Sequence, residues 1–339
     1  METNSTLNTA VAAEAQSTGI KPKAIGIIGI VGILAVFPAL HFAMGGSLNF
    51  QLHLLLFTFM YISMASSWNI IGGYAGYISL GHNVFFAIGA YIGGVLLAMM
   101  GVPLIISAPL AGIATFLVGL LVGFITLRVH GPSFIISTVA LVLVIRILLD
   151  NWDFIGGANG MPLPLIDLPV IWSKIPFYYA FLVIACLTVY MSYRIRHSKL
   201  GIGLRAISQD EVKAESAGIP TNMYKIIAYA LSGTLIGVCG AVYGQYINYL
   251  QPSIFLVILI GAQLVLMNIL GGKGTVAGPV IGAILIIGVN ELILSNFAGS
   301  ELNIFGTGAI MAVVLLFFPD GIVGSLRSRG WLPGILDWD

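Results

Sequence analysis

The sequence predicts an all-α, polytopic integral membrane protein with about ten transmembrane helices. Three observations carry that reading. Hydrophobic residues make up 58% of the chain and charged residues only 8%, with a mean hydropathy of +1.03. Soluble domains carry about 25% charge, so this little cannot coat a globular surface of 339 residues, and lipid is left as the solvent. The apolar residues fall in continuous runs of roughly 17–25, the length of a helical span. A porin-like barrel would need alternating segments of about ten residues, whereas a helix satisfies its own backbone in lipid.

Taken in order, residues 1–23 read as a disordered cytoplasmic tail: they are small, polar and aperiodic. Lys21 and Lys23 precede the first apolar run. A cleaved signal peptide has a shorter apolar core, about 7–15 residues, so this run is read as an uncleaved span. The membrane domain extends over 24–320, with spans at 24–40, 50–71, 84–100, 104–127, 133–149, 176–193, 224–247, 254–270, 279–297 and 303–318. The run 84–100 follows a glycine-rich stretch and is the first to be doubted as a full crossing. An outer loop covers 150–175, a cytoplasmic loop 194–223 and a cytoplasmic C-terminal tail 321–339.

The basic residues orient this arrangement. With the N-terminus inside, Lys21, Lys23, Arg128, Arg194, Arg196, Lys199, Arg205, Lys213, Lys225, Lys273, Arg327 and Arg329 all fall on inner segments. Only Arg146 and Lys174 fall elsewhere. Short cytoplasmic loops carry the Lys/Arg excess, which places both termini in the cytoplasm. Arg146 and Asp150, four residues apart, share a helix face and read either as an interfacial pair or as groups lining a solute path. Glu291, beside Asn290, has the same two readings.

Composition and spacing exclude several chemistries. A net charge of +1 gives no basic surface for nucleic acid. Cys186 and Cys239 lie inside apolar runs and read as small buried hydrophobes. The histidines at 41, 53, 82, 130 and 197 lack metal-ligand spacing. Gly272-Lys273-Gly274-Thr275 resembles a phosphate loop, yet Met267 and Gly274 stand where that loop needs glycine and Ser or Thr. Gly201 to Ala206 fits a dinucleotide pattern without the strand it requires. No catalytic set is visible, so any ATP hydrolysis belongs to another chain.

Two stretches break the apolar pattern. Ile70 to Tyr91 holds glycines at 72, 73, 76, 81 and 89 among Ser79, His82 and Asn83. Backbone released from a helix at membrane depth is tolerated only inside protein or beside a cavity. The stretch reads either as such unwound backbone or as a loop with packing glycines. The second is Tyr193 to Lys225, the one long charged segment. Within it 203–217 reads as a short helix bounded by glycines and Pro220. Leu204, Ile207, Val212 and Ile219 form a partial apolar stripe, and Arg205, Asp210, Glu211 and Glu215 are available to a partner surface.

At these residues the chain resembles the permeases of branched-chain amino acid ABC importers. The blocks are Tyr74 to His82 with Phe86, Gly89, Ala90 and Tyr91; Asn151-Trp152 and Gly156 to Gly160; Gly203 to Ile207 with Asp210-Glu211, Ala214-Glu215, Gly218-Ile219 and Tyr224-Lys225; Leu270 to Thr275 with Gly278-Pro279 and Gly282-Ala283; and Phe318 to Gly321. They cover roughly 50–325 and resemble the M-type subunit most. Tyr77 departs from the family, which has a polar residue such as Gln there, and Ser216 interrupts an Ala/Leu run.

The resemblance implies a translocating subunit that is not itself an enzyme and binds no cofactor, ATP and Mg being used by partner ATPase subunits. It implies a homologous second permease of H-type, two cytoplasmic ATPases, and a periplasmic or lipid-anchored solute-binding protein, in a bacterial plasma (inner) membrane. The implied solute is Leu, Ile or Val; urea, short amides or other amino acids are alternatives. ATPase coupling falls on Gly203, Arg205, Ala206, Asp210, Glu211, Glu215 and Gly218, and the translocation path on Gly76, Ser79, Gly81, His82 and Asn159. A stand-alone secondary transporter or channel would instead need ionisable groups at mid-membrane.

Overall fold

The computed structural model describes residues 22–165, 169, 172–296, 321–329 and 338. The apolar runs fold as helices: α1 (Pro22–Ala43), α2 (Asn49–Asn69), α3 (Asn83–Met100), α4 (Leu104–Thr126), α5 (Pro132–Asp150), α6 (Ile175–Arg196) and α9 (Thr221–Ile247). Between α6 and α9 lie the short helices α7 (Lys199–Gln209) and α8 (Glu211–Ser216). The chain continues through α10 (Pro252–Phe255), α11 (Ile258–Gly271), α12 (Ala277–Asn296) and α13 (Gly321–Ser328). Among the described residues, 7 helical stretches are long and apolar enough to cross a membrane. The run 84–100 is one of them, a helix of 18 residues closed by Gly101 in the left-handed conformation. The expected span 303–318 lies outside the described residues.

The bundle is assembled around α9, and small residues decide how. A Cβ on Gly89 of α3 would sit 2.0 Å from the Gly237 carbonyl oxygen, and one on Gly240 would sit 2.0 Å from that of Phe86. On the other side, a Cβ on Gly119 of α4 would meet the Ala230 Cα at 2.7 Å. Lipid tails are as apolar as leucine, so helices in a bilayer associate through such close backbone approach. Helix α2, 78% buried over its apolar stretch, packs against α6, where the Tyr178 ring meets Phe59 at 5.3 Å. Helix α5 is only 22% buried over the same measure. Its Arg146 and Asp150 form a partly exposed pair at 3.7 Å, near the end of the helix.

Two expectations are corrected and two features are added. Residues 254–270 do not form one helix: the chain breaks between α10 and α11, with Val257 extended. The Val257 carbonyl, which already accepts from the Ile260 N–H at 3.0 Å, also accepts from Asn83 Nδ2 at 3.0 Å, and the Leu80 backbone fits against Gly261. The tail expected from 321 onward begins as helix α13, with Val323 buried against Gly272. Cys186 is exposed on α6, because helical phase rather than local hydropathy sets which side faces inward; only Cys239 is buried. A small ladder also forms, β1 (Met161–Pro162) against β2 (Tyr249–Leu250), antiparallel, tying the 150–165 loop to the end of α9.

The Ile70–Tyr91 stretch resolves as unwound backbone inside protein. Helix α2 ends in a π turn, Ile70–Tyr74. Gly72 and Gly73 are needed there: a Cβ would strike the Trp68 ring at 2.2 Å and the Asn69 Oδ1 at 1.7 Å. Residues 75–82 then run without helix back into the bundle. Trp68 Nε1 donates to the Ser79 carbonyl at 2.7 Å, Gly81 lies on the Thr138 backbone, and His82 Nε2 meets Ser232 Oγ at 2.9 Å. Ser232 lies partway along α9, about 16 Å from its start at 1.5 Å per residue, so the 79–82 end of this backbone is near mid-membrane depth.

Gly240→Ala is expected to lower stability by about 1–3 kcal/mol through overpacking, because its Cβ would meet backbone. Gly288→Ala, with nothing within 4 Å among the described residues, is expected to be neutral or mildly stabilising from helix propensity. Thermal unfolding midpoints in detergent check both: the first falls below that of the unmodified protein and the second does not.

Candidate functional site

The charged segment folds onto one end of the bundle. Ser198 caps α7, its Oγ accepting from the Gly201 N–H at 3.3 Å. Helix α7 turns Leu204 and Ile207 inward, and Gly203 gives room to the Tyr224 ring, 3.1 Å from where a Cβ would stand. The single helix expected over 203–217 is two. Asp210 is extended, and its Oδ1 accepts from the Lys213 N–H at 3.1 Å, starting α8. An aspartate at an N-cap is a recognisable start signal. Its carboxyl is held below the ordinary range first by the Lys213 side chain. Helix α8 stops at Gly218, left-handed at φ +84°, where the Ile219 N–H donates to the Ala214 carbonyl at 3.1 Å.

These helices separate the expected coupling residues. Arg205, Glu215 and Gly218 face outward, beside the exposed apolar side chains Ile202, Val212 and Met223. Gly203 is buried, Ala206 is half-buried and Asp210 serves as the cap. Glu211 turns inward to a cluster that sequence reasoning did not assemble. Its carboxylate accepts from the Lys225 ammonium and the Tyr77 hydroxyl, and pairs with His130 Nε2 at 3.1 Å. Lys225 Nζ also donates to the Tyr77 oxygen at 3.2 Å. The one legible signal was Tyr77 itself, out of keeping with the family pattern.

Four elements meet at this cluster: the 75–82 segment, the α4–α5 turn, α8 and the foot of α9. The Lys225 side chain is 0% exposed and that of Glu211 19%. Burial alone would raise the Glu211 carboxyl, but the bonds from Lys225, Tyr77 and His130 outweigh it and leave it below its ordinary value. Burial and the neighbouring carboxylate push the Tyr77 hydroxyl up, so it stays a donor. Two adjoining cavities open here. One, of about 530 Å³, is lined by Arg128, His130, Glu211, Val212, Glu215, Thr221 and Asn222. The other, of about 410 Å³, lies between Gly76, Tyr77, Phe134 and Ser208.

The glycine block at 271–278 is fixed to the same end. Asn69 Oδ1 accepts from the Gly274 N–H at 3.1 Å, Asn69 Nδ2 donates to the Thr275 carbonyl at 2.8 Å, and Arg196 donates to the Gly274 carbonyl. An amide engaged in this way forms no phosphate cradle. Of the expected path residues, Ser79, Gly81 and His82 are buried in packing, and Gly76 lies against Ser208 of α7. Asn159 stands beyond the far end of α5, its carbonyl accepting from the Tyr249 hydroxyl. The set does not form one wall: the glycines that loosen the pattern do so to admit neighbouring side chains and backbone. Among the described residues, no three His, Cys, Asp or Glu side chains gather as a metal site.

The chain matches the model of the branched-chain amino acid transport system permease component over residues 51–318. It is 26% identical over 299 residues to the high-affinity branched-chain amino acid transport system permease protein LivM of Salmonella typhimurium, covering 80% of this chain and 69% of that one. It is 25% identical over 293 residues to LivH of the same organism, covering 78% and 91%. To the permease protein BraD of Pseudomonas aeruginosa it is 26% identical over 294 residues, covering 78% and 91%. No solved structure is significantly similar. With the match spanning most of the chain and a bundle of membrane-length helices beneath it, the protein belongs to the branched-chain amino acid transport system permease family.

Proposed function

We propose that this chain is the M-type permease of an importer that carries Leu, Ile or Val across the bacterial plasma membrane, powered by two separate ATPase subunits that use ATP and Mg. Its partners are an H-type permease and a periplasmic or lipid-anchored binding protein, and both its termini are cytoplasmic. The single observation that carries this is the pair α7–α8. Its outer face offers Ile202, Arg205, Val212 and Glu215 to a partner while its inner face is bonded to the bundle.

The geometry supports a transmission. Asp210 and Gly218 interrupt the chain on either side of α8, so the backbone alone couples it loosely to its neighbours. The Glu211–Lys225–Tyr77 cluster supplies the stiffness. A push on α8 by a closing ATPase pair reaches α9 through Lys225 and the 75–82 segment through Tyr77. Packed helices then move as rigid bodies. The Arg196 bond to Gly274 links the same end to the α11–α12 turn.

Mild detergent extraction is expected to bring down a second permease and two ATPase chains; recovery of this chain alone, with ion-driven uptake in liposomes, would overturn the reading. Leucine binding by the partner binding protein checks the solute. Glu215→Lys and Gly218→Val are expected to cut ATP-driven uptake while leaving membrane insertion normal, read by uptake and by membrane yield. Lys225→Met, which leaves the partly buried Glu211 with only Tyr77 and His130 as partners among the described residues, is expected to cost about 1–3 kcal/mol, read as a fall in thermal midpoint. Because the Glu211 carboxyl is depressed in the folded state, its contribution is full above its ordinary value of 4.5 and is lost as pH falls through the depressed value. The gap between the unmodified protein and Lys225→Met therefore narrows at low pH.

A further inference from the structure

We propose that the break between α10 and α11 forms part of the wall of the solute pathway, and that its free N–H groups receive the carboxylate of a zwitterionic amino acid. This rests on the importer reading and goes beyond it by placing the path.

The first argument is depth. The Val257 carbonyl is held by Asn83, next in sequence to His82, which meets Ser232 well inside α9. Gly261 lies on the Leu80 backbone. Two non-helical stretches, 79–82 and 256–257, therefore meet near mid-membrane. The second argument is exposure. Residues 79–82 are largely enclosed, but Val257, Ile258 and Leu259 are 37%, 39% and 58% exposed. Among the described residues the Ile258 and Leu259 N–H groups meet no acceptor, and no side chain caps α11. Lipid cannot face such backbone, since nothing in hydrocarbon accepts its hydrogen bonds; water or a polar solute can.

The third argument is chemical fit. Helix α11 has 14 residues, and its N-terminus carries partial positive charge. Broken helices in transporters present such ends to anionic substrate groups at the midplane. Asn83 is fully buried, and among the described residues its Oδ1 has no partner although its Nδ2 is engaged at the break. That oxygen is an acceptor for an ammonium group once the break opens. Val257, Ile258 and Leu259 offer the aliphatic contact that a branched side chain needs.

The test is thiol accessibility in the full complex in proteoliposomes, with Cys186 and Cys239 replaced by Ala. Leu259→Cys is treated with a charged methanethiosulfonate reagent, and Leu117→Cys on α4, 60% exposed, is the lipid-facing control. The reacting species is the ionised thiolate, which needs water. Labelling at 259 is therefore expected to be at least about tenfold faster than at 117, and to slow when leucine and the binding protein are added. Labelling at the control rate would overturn the proposal by placing the break against lipid. Resistance to both charged and lipid-soluble reagents would overturn it by placing the second permease there. Labelling indifferent to leucine would remove the carboxylate site. If Leu259→Cys does not assemble, Val257→Cys and Ile258→Cys report on the same surface. The readout is labelling, so loss of ATP-driven uptake would count against the functional reading and not against this one.

Discussion

Backbone that leaves a helix within hydrocarbon must find its hydrogen bonds in protein or water, and the interior of this permease is arranged around that requirement. The 75–82 segment runs back into the bundle unwound, its Ser79 carbonyl held by Trp68 and its His82 ring by Ser232. At the α10–α11 break Asn83 donates to the Val257 carbonyl, beside the Ile260 N–H. The 272–276 turn is bracketed by Asn69 and Arg196. In each case a polar side chain on a regular helix serves an irregular neighbour, so α2, α3, α6 and α9 hold the broken parts in place.

The same economy explains where the charges went. In a chain so poor in ionised groups, a lysine with no solvent exposure is costly unless it is well paired. Lys225 is paired twice, to Glu211 and to Tyr77. The cluster joins residues distant in sequence, which makes the charged helices part of the membrane bundle rather than a loop hung beneath it. Their remaining groups, Arg205 and Glu215 among them, are left on the outside.

Much of the architecture was legible because lipid imposes a simple code: long apolar runs become helices, and α2, α4, α5, α6 and α9 begin and end within a few residues of their expected limits. What the code could not convey was depth and phase. The α10–α11 break contains no glycine and only Pro252 at its start; it exists because Asn83 and Leu80 arrive from elsewhere. Cys186 sits in an apolar run yet faces out, as helical phase dictates. In the charged segment the outward residues were readable from charge, whereas the inward placement of Glu211 required knowing that Lys225 and Tyr77 would lie beside it. Of the expected path residues, the Ser79 hydroxyl accepts from the Gly81 N–H and the His82 ring meets Ser232, partners that lie too far along the chain or too close to it to be read from polarity alone.

The π turn at Ile70–Tyr74 carries a consequence for how this fold tolerates change. A π turn accommodates one residue more than an α-helical turn, and one residue corresponds to about 100° of rotation. Deleting a single residue there would let the helix relax to its ordinary winding and swing everything downstream around its axis, carrying Tyr77 off Glu211 and Ser79 off Trp68. Insertions and deletions that a surface loop would absorb are therefore forbidden at this point, and the spacing from Trp68 to His82 is a fixed ruler for the whole bundle.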